Sequence, residues 1–450
     1  MKRLKQRFVA PVVVTLSSLL VLSTIAPVSV VLVKGIELNN PSSEISADTQ
    51  KVIDLTFPSN DGNVHILKPN IVKYIAAMHQ QASAIENDYV LHDFYVSAPD
   101  WQNRYGEEFT NETDLVRVAD FYNPSVNEQK SKEVALCFNH KGFPENSVFT
   151  VTYGLDSSLS DGVSIETTEN YVTINNLLAA QKYYWKVTSG GFSSDIQSFN
   201  TDEGFRMITS HGVANIRDMG GRPVLSNKRI KQGLIFRGAE LVEEAYGTHS
   251  KTLFDDTKEL LQDELGIKYE IDLRGDDEAN NITESPLKDE NHSDVEYIRI
   301  ANIGAYDRFF SMKEDDERWP IIKQAFLAFK NANEKHVYFH CWGGADRTGT
   351  VGFLLGGLLG MSYTDLVIDF ELTSFSKNYR PHNKNDGDKV YRFPSLIYRC
   401  KTEKAKNGDK QPYFEEGKTI SDIIKDILID RAGLTEQDII DIKNNLLEDR

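Results

Sequence analysis

A ten-residue stretch in the second half of the chain combines a cysteine, an arginine and several glycines at spacings that suit phosphate chemistry. It reads His340-Cys341-Trp342-Gly343-Gly344-Ala345-Asp346-Arg347-Thr348-Gly349. A phosphate monoester must be held by donors aimed at its equatorial oxygens while a nucleophile attacks phosphorus in line. Backbone N–H groups of a glycine-bearing loop can form such an anion site, and the guanidinium of Arg347 can bind two oxygens at once. The stretch therefore predicts that Cys341 is a nucleophile inside a phosphate-binding loop.

The segments on either side of this stretch predict how it is positioned. Residues 336–339 carry β-branched and aromatic side chains, which favour a short buried strand. Residues 348–361 predict a buried helix that is too short to span a membrane. The loop would then precede a helix N-terminus, where the helix dipole favours anions. Because the same field stabilises a negative sulfur, Cys341 is expected to be largely thiolate at neutral pH.

The stretch resembles the signature loop of the cysteine-dependent phosphatase superfamily, and more narrowly that of the bacterial tyrosine-phosphatase-like family, which has an aspartate directly before the loop arginine. Other segments resemble motifs of that family in the same order: residues 215–221, residues 236–239, Asp272-Leu273-Arg274 with Glu278, and residues 369–373. The resemblance covers about residues 205–450. A buried structural cysteine would not explain Arg347. A rhodanese-like sulfur carrier also uses a cysteine loop, but the five-residue gap between Cys341 and Arg347 resembles phosphatases more closely.

Each residue of the loop is expected to take a defined part in the chemistry. Cys341 would form a phosphocysteine intermediate, and Arg347 would clamp the transferring phosphoryl group. The predicted phosphate-binding residues are Trp342, Gly343, Gly344, Ala345, Asp346 and Arg347. His340 would orient the loop through hydrogen bonds. Thr348 would either hydrogen-bond the cysteine sulfur and assist its release, or act only as a helix-capping hydroxyl.

The proton donor to the leaving oxygen is the least defined part of the predicted site, although such a donor contributes about 10²–10⁴-fold to the rate. Classical tyrosine phosphatases use the aspartate of a Trp-Pro-Asp loop, and here no aspartate follows Trp319-Pro320. Asp346 is the first candidate, Asp272 the second and Asp307 the third. Each of them could instead form a structural ion pair with a neighbouring arginine.

The residue before the loop aspartate bears on the substrate. Family members that act on phosphoinositides often carry a lysine there, whereas this chain has Ala345. The missing charge favours a phosphotyrosine protein or peptide over a phosphoinositide or inositol phosphate, which remains the alternative substrate. A non-catalytic surface binding protein is a further alternative. The cysteine chemistry requires neither metal nor other cofactor, and no metal-ligand spacing is present.

The charge of the chain restricts its partners. The 450 residues carry a net charge of −17, which argues against general binding to nucleic acid or anionic membranes. The same charge opposes long-range attraction of an anionic substrate. Attraction must then be local, from Arg347 and the loop amides, with Arg217, Arg237 and Arg274 as supporting candidates.

The N-terminus predicts export. Four basic residues precede an uncharged run over residues 8–33, which is long enough to span a bilayer. Residues 1–35 therefore predict a signal peptide or, preferably, an uncleaved signal-anchor that tethers the chain to a membrane. By the positive-inside rule, the rest would be extracellular or on the cell surface.

The remaining chain divides into three predicted regions. Residues 36–110 have no functional interpretation, although a strand near 52–57 and a helix over 69–85 are predicted. Residues 111–203 alternate short β-like runs with turns, which predicts an antiparallel sandwich. Residues 176–187 within them resemble the late strands of fibronectin type III-like domains, which serve as spacers or as recognition modules.

Residues 204–450 alternate strand-like and helix-like segments, which predicts a mainly parallel sheet flanked by helices. The predicted strands span residues 234–237, 269–273, 295–300 and 337–339, and the predicted helices include residues 257–265, 321–331, 419–429 and 435–447. Ligands of such sheets bind at the carboxyl ends of strands. Arg237, Arg274 and Cys341 fall at such ends, so they could converge. The whole chain is thus expected to be multidomain, with an α/β cysteine-phosphatase-like catalytic domain after an all-β sandwich.

Overall fold

The computed structural model describes residues 51–84, 116, 118–121, 130–242, 253–279, 282–305, 307–310, 312–376, 400 and 413–450. All of them belong to one unit, Thr49–Arg450. The predicted signal or anchor segment, residues 1–35, lies outside the described residues. Within the described ranges, no helix is both long enough and apolar enough to cross a membrane. The three cysteines, all of them described, form no disulfide.

The first half of the described chain forms two β-sheets. Their strands are β1 (Val52–Phe57), β2 (Gly62–Val64), β3 (Val134–Lys141), β4 (Phe149–Gly154), β5 (Val163–Thr167), β6 (Tyr171–Ile174), β7 (Lys182–Ser189), β8 (Phe192–Ser193) and β9 (Gln197–Thr201). One sheet has the order β1-β3-β6, and the other has the order β2-β9-β7-β4-β5 with β8 beside β7. Along β7, Tyr183, Trp185 and Val187 are buried while their neighbours are more exposed, as period-2 alternation requires. The first two strands, from the region without a functional interpretation, therefore belong to the same sheets as residues 134–201.

The second half is built around a six-stranded sheet. The strands of this half are β10 (Arg206–Met207), β11 (Arg217–Asp218), β12 (Pro223–Val224), β13 (Lys228–Ile230), β14 (Ile235–Gly238), β15 (Ile267–Asp272), β16 (Glu296–Arg299), β17 (His336–His340) and β18 (Leu447–Asp449). Strands β12, β13 and β18 form a small separate sheet. The large sheet has the order β10-β11-β14-β17-β15-β16, and its last four strands are parallel. The mainly parallel sheet predicted for residues 204–450 is therefore present. Since β17 lies between β14 and β15, the loop of Cys341 follows a central strand.

Helices cover the sheet. They are α1 (Pro69–Ala84), α2 (Asp255–Glu259), α3 (Asp276–Ala279), α4 (Asp307–Phe310), α5 (Trp319–Lys330), α6 (Asp346–Leu359), α7 (Tyr363–Glu371), α8 (Ile420–Asp430) and α9 (Glu436–Leu446). Helix α6 is buried from Thr348 to its end, which explains why its sequence is apolar on every face. Helix α9 begins with a capping box in which Thr435 and Asp438 bond each other's backbone N–H, as the sequence predicts. The predicted helix over 257–265 is present as the short helix α2 followed directly by the π-helical segment Leu260–Glu264.

Polar contacts join the two β-sheets of the first half to the second half of the described chain. Arg206 donates hydrogen bonds to the carbonyls of Leu177 (3.1 Å) and Asn176 (2.7 Å). The side chain of Gln232 both accepts from and donates to the backbone of Ala179, each at 2.8 Å. These buried or partly buried contacts hold the late strands of the first half against the start of the large sheet.

Helix α1 makes a second connection between the two halves. The ring of Tyr74 packs 5.7 Å from that of Phe375, which follows α7. His79 Nε2 lies 2.9 Å from Asp365 Oδ1 on α7. The predicted helix over 69–85 is thus confirmed, and its role is to pack on the helix that follows α6.

Candidate active site

Cys341 lies at the carboxyl end of a central parallel strand. Strand β17 ends at His340, and helix α6 begins at Asp346 with Ala345 as its N-cap. Cys341 is buried, with 2% of its surface exposed. The predicted order of strand, loop and helix is therefore confirmed. The first turn of α6 places its unsatisfied backbone N–H groups at the loop, where an anion can accept from them.

Two buried side chains from the neighbouring strands hold the carbonyls of the loop. Asn215 Nδ2 donates to the carbonyl oxygens of Gly343 (3.2 Å) and Gly344 (3.1 Å). Arg237 Nη2 donates to the carbonyl of Gly344 at 3.0 Å. The outer side of the loop is thus fixed by donors from the start of the catalytic half and from β14.

The same bonds orient the N–H groups of the loop. The backbone N–H of Glu240 donates to the carbonyl of Trp342 at 3.2 Å, so three consecutive loop carbonyls are held on the outer side. In a planar trans peptide, the N–H points opposite to the carbonyl. The N–H groups of residues 343–345 therefore point towards the inside of the loop. That is the arrangement of an anion nest.

Gly344 occupies a position that no other residue would fit. Its φ is +67°, in the left-handed region that favours glycine. A Cβ atom there would lie 2.4 Å from the carbonyl oxygen of Gly238. The loop can approach the end of β14 this closely only because Gly344 has no side chain.

Arg347 and Glu278 form a two-bond ion pair. Arg347 Nη1 lies 2.5 Å from Glu278 Oε2, and Nη2 lies 2.8 Å from Oε1. Nη1 also donates to the carbonyl of Leu273 at 3.2 Å. Although burial opposes it, bonding to Glu278 and the nearby Cys341 raise the pKa of Arg347 above its ordinary value. The guanidinium is therefore charged and held in a fixed plane beside the loop.

Three buried arginines surround one carboxylate behind the loop. Asp369 on α7 contacts Arg217 Nε (3.1 Å), Arg222 Nη1 (2.9 Å) and Arg237 Nη1 (2.5 Å). All three arginine side chains have no exposed surface. Burial alone would raise the pKa of Asp369, but the three guanidiniums, Arg237 foremost, hold it well below its usual range. Burial and the neighbouring Arg237 lower the pKa of Arg217 to about 9.

This cluster defines what the supporting arginines do. Arg217 also donates to Asn215 Oδ1 at 2.5 Å, and Arg237 reaches the loop carbonyl of Gly344. Because both side chains are fully buried, they fix the loop from behind rather than meeting a substrate at the surface. The attraction for phosphate that was expected of these arginines would then act through their electric field at the loop, without a direct contact to the phosphate.

Asp272 is held as an ion-pair partner. Its carboxylate accepts from Arg274 Nη2 (2.7 Å) and from the hydroxyl of Tyr297 (2.7 Å). Burial opposes ionisation, yet His340 and Arg274 hold the pKa of Asp272 below its usual range. An aspartate that stays ionised cannot supply a proton near neutral pH, so the geometry favours the ion-pair interpretation. Arg274 also contacts Glu240 Oε2 at 3.2 Å, which ties the ends of β14 and β15 together.

His340 is held from two sides. Its Nδ1 lies 3.2 Å from the carbonyl oxygen of Cys341, and its Nε2 lies 2.9 Å from Glu270 Oε1. The side chains of His340 and Glu270 have no exposed surface. The expected orienting role of His340 therefore has a structural basis at the first residue of the loop.

The remaining candidates lie in or near the first turn of α6. Thr348 Oγ1 is buried and has no hydrogen-bond partner, and α6 has no side-chain cap. The capping explanation of Thr348 is therefore not supported. Asp346 is partly exposed at the start of α6. Asp307 begins α4, but its side chain lies outside the described part of the chain.

Three ionisable groups near the loop approach the spacing of metal ligands. Among the described residues, ligand atoms of Glu270, Asp272 and His340 all lie within 4.8 Å of one another. Arg274 and Tyr297 already occupy the carboxylate of Asp272, and Glu270 faces His340. A hydrogen-bonded network accounts for this proximity without a metal ion.

Four supporting residues were not predicted from the sequence: Arg222, Glu240, Glu270 and Tyr297. The sequence did contain a signal for Glu270, which lies between Tyr269 and Ile271 in a strand whose residues are all buried except Lys268. A charged residue at the centre of such a strand needs a buried partner. Nothing local indicates which partner it has, since His340 lies 70 residues away in the chain.

Comparison with known proteins identifies similar sequences for this half of the chain. A sequence profile described as the tyrosine phosphatase family matches residues 208–448, more than half of the chain. A tyrosine-protein phosphatase of Nostoc commune is 26% identical over 136 residues, which are 27% of this chain and 45% of that protein. The chain therefore spans less than half the length of this curated relative. The profile match contains the loop, Asn215, the three buried arginines and Asp369.

Proposed function

Since the chain belongs to the tyrosine phosphatase family, we propose that it hydrolyses phosphotyrosine in proteins or peptides through a phosphocysteine intermediate. The observation that carries the proposal is the placement of Cys341 at the end of β17 and of Arg347 in the first turn of α6. Between them lies a loop whose N–H groups point inward. Such a loop stabilises the charge of a transferring phosphoryl group.

The proposed reaction has two steps. In the first, the thiolate of Cys341 forms a bond to phosphorus as the bond to the tyrosyl oxygen breaks, and that oxygen takes a proton from an acid. In the second, water attacks the phosphocysteine, phosphate leaves, and the thiolate returns. Arg347 and the inward N–H groups would hold the three equatorial oxygens in both steps. This chemistry requires no metal or other cofactor.

Asp346 remains the first candidate for the acid. It lies in the first turn of α6, next to Arg347, and is partly exposed. Asp272 is the weaker candidate, because Arg274 and Tyr297 keep its carboxylate ionised. In the second step, water would return its proton to the same acid.

Thr348 is proposed to assist the release of the cysteine sulfur. Its hydroxyl is fully buried and has no partner in the structure, although a buried hydroxyl usually has one. A phosphoryl oxygen or the leaving sulfur would supply that partner during the reaction. The bond would favour departure of the thiolate from phosphorus.

The preference for phosphotyrosine rests on the charge of the loop. Ala345 adds no positive charge beside the phosphate, and the body of the protein is acidic. The negative charge of an inositol phosphate beyond its first phosphate group would therefore find no additional positive charge at this loop, so the site suits a single phosphate monoester better. The name of the Nostoc commune relative refers to the same substrate class.

The sheets of residues 52–201 and the N-terminus are proposed to place the enzyme outside the cell. The strand order and the resemblance of residues 176–187 support a fibronectin type III-like module that holds the catalytic half away from its attachment. The basic N-terminus and the uncharged run over residues 8–33 support export with a membrane anchor. A non-catalytic surface binding role would require the loop to be inactive.

The direct test is hydrolysis of a phosphotyrosine peptide and of a soluble phosphoinositide by the full-length chain. The assay contains reductant and chelator, and Cys341→Ser is the matched control. We expect turnover of the peptide that chelator does not reduce and that the variant lacks. Preference for the phosphoinositide would overturn the substrate assignment. No turnover of either substrate by a folded protein would overturn the enzyme assignment and favour the binding role.

A further inference from the structure

The pair formed by Glu270 and His340 is unusual for the interior of a sheet. Glu270 is at the centre of β15, and its register partner on β17 is Tyr338. Its side chain has no exposed surface, and its Oε2 has no hydrogen-bond partner. A buried carboxylate with an unpartnered oxygen destabilises the fold, whereas an apolar side chain would pack there without that cost. Its Oε1 is hydrogen-bonded to His340, and its charge also attracts the guanidinium of Arg274.

The hydrogen bonds of His340 constrain its protons. Nδ1 faces the carbonyl oxygen of Cys341, which can only accept, so Nδ1 carries a hydrogen. Nε2 faces the carboxylate of Glu270. An ionised carboxylate can only accept, so a hydrogen on Nε2 makes both bonds favourable at once. With hydrogens on both nitrogens, the ring is a charged imidazolium.

The surrounding charges support the same protonation state. The carboxylate oxygens of Glu270 and Asp272 lie within 4.8 Å of a ring nitrogen of His340, and the ring centroid of Tyr338 is 5.6 Å from that of His340. Glu240, which also interacts with His340, is paired with the guanidinium of Arg274. Three carboxylates against one guanidinium leave this buried region with an excess of negative charge. A positive charge on His340 reduces that excess, and a neutral ring would not.

We propose that Glu270 is a positioning residue that keeps His340 doubly protonated, so that a fixed positive charge lies directly before the nucleophile Cys341. Because Glu270 binds the ring on the side away from the Cys341 carbonyl, the imidazolium can hold the loop and favour the thiolate together. The inference rests on the proposed cysteine chemistry. It adds that a residue on the neighbouring strand, 70 positions earlier, sets the charge behind the nucleophile.

The first test observes His340 directly in the full-length wild-type chain. The ring nitrogens are labelled with ¹⁵N, and the signals of His340, one of ten histidines, are identified by their loss in His340→Asn. We expect both ring nitrogens of His340 to carry a hydrogen at neutral pH. A single bare nitrogen at neutral pH would overturn the proposal. This test requires no variant of Glu270 to fold.

The second test measures how fast iodoacetamide alkylates Cys341 as a function of pH, without any substrate. Cys341→Ser gives the background from Cys137 and Cys400. In Glu270→Gln we expect alkylation of Cys341 at neutral pH to be about tenfold slower, because less of the reactive thiolate is present. In the His340→Asn background, Glu270→Gln should have no further effect. An unchanged profile in folded Glu270→Gln would overturn the proposal.

The outcomes separate this inference from the proposed function. Labelled nitrogens and alkylation report the charge of His340 and the reactivity of Cys341 without turnover. If phosphotyrosine is not hydrolysed but both tests give the expected results, the substrate assignment fails and the role of Glu270 stands. If turnover occurs and His340 is neutral, the role of Glu270 fails and the phosphatase assignment stands.

Discussion

The carboxylates around Cys341 are kept ionised by different neighbouring groups. Asp272 is bonded by Arg274 and Tyr297, and Glu278 is bonded twice by Arg347. Burial opposes ionisation of Glu278, but the bond from Arg347 lowers its pKa. Both groups are therefore ionised at neutral pH and serve as anchors for arginines. Neither carboxylate is then a proton donor at neutral pH, and Asp346, whose charge interacts with that of Arg347, stays the first candidate for the acid.

At the residue scale, Asp346→Asn tests this assignment. We expect kcat/KM for phenyl phosphate to fall about 10²–10⁴-fold, because the basic phenolate then leaves without a proton. The loss for p-nitrophenyl phosphate should be much smaller, since its leaving group needs less protonation. Steady-state kinetics with both substrates provide the measurement. Equal losses for the two substrates would instead indicate that Asp346 positions the loop.

Asp272→Asn is the matched control for that experiment. It removes a carboxylate from the same site but also an ion pair with Arg274. We expect it to lower the stability of the fold, while the ratio of the two substrates' kcat/KM values stays close to that of the wild type. If Asp272→Asn selectively lost activity on phenyl phosphate, Asp272 would be the acid.

At the scale of elements, helix α7 is fastened to the sheet behind the loop. Its Asp369 accepts from Arg217 on β11, from Arg222 and from Arg237 on β14. Gly352 on α6 leaves room for this cluster, since a Cβ there would lie 2.4 Å from Arg237 Nη1. The position of the loop thus depends on two helices and two strands that meet at a single carboxylate.

The variant Asp369→Asn tests that dependence through pH. The folded-state pKa of Asp369 is lowered, so its contribution to stability is fully present above the unfolded value near about 3.9. It is lost as pH falls through the lower folded-state value. Above pH about 5 we expect the variant to be less stable by about 3–5 kcal/mol, as for other broken buried pairs. Urea unfolding at several pH values provides the measurement.

The difference in the free energy of unfolding between the wild type and Asp369→Asn should become smaller as the solution becomes more acidic. The wild type loses the contribution of Asp369 on protonation, and the variant has none to lose. If the stability difference stayed constant from neutral pH to about pH 3, the ion-pair role assigned to Asp369 would be contradicted. The effect of the substitution would then not come from loss of the ionised carboxylate.

At the scale of the whole molecule, the described β-sheets of the first half are tied to the catalytic half. Arg206 and Gln232 bond the backbone of residues 176–179. Tyr74 and His79 on α1 contact the region of α7. Residues before 204 therefore support the helix that carries Asp369, which is more than a passive spacer would do.

These contacts predict cooperative unfolding. We expect calorimetry of the full-length chain to show one main transition for the described part, because local opening of either half would expose buried contacts of the other. Gln232→Ala, which removes the two bonds to Ala179, should lower the temperature of that transition by a few degrees. Two separated transitions, with only the first shifted by the variant, would show that the halves unfold independently.

The sequence by itself determined that a cysteine and an arginine lie together in one loop suited to phosphate. Cys341 and Arg347 lie within one strand–loop–helix unit, so their spacing along the chain sets their spacing in space. Patterns of period 2 and 3.6 likewise predicted the main strands and helices of residues 204–450, because burial on one face is a local property of the sequence. The fold class of this half could be predicted for that reason, and the proposed nucleophile rests on the same local pattern.

Only the tertiary structure decided which charges pair behind the loop. Asp369 and Arg217 are 152 residues apart, and Glu270 and His340 are 70 residues apart. Which of several carboxylates meets which arginine depends on the order β11-β14-β17-β15 of the sheet, and no local pattern encodes that order. The sequence ranked Asp346 first and Asp272 second as the acid, and only the fold shows that Asp272 is paired with Arg274. A buried charge has no access to water, so it must be paired with the partner that the fold places beside it.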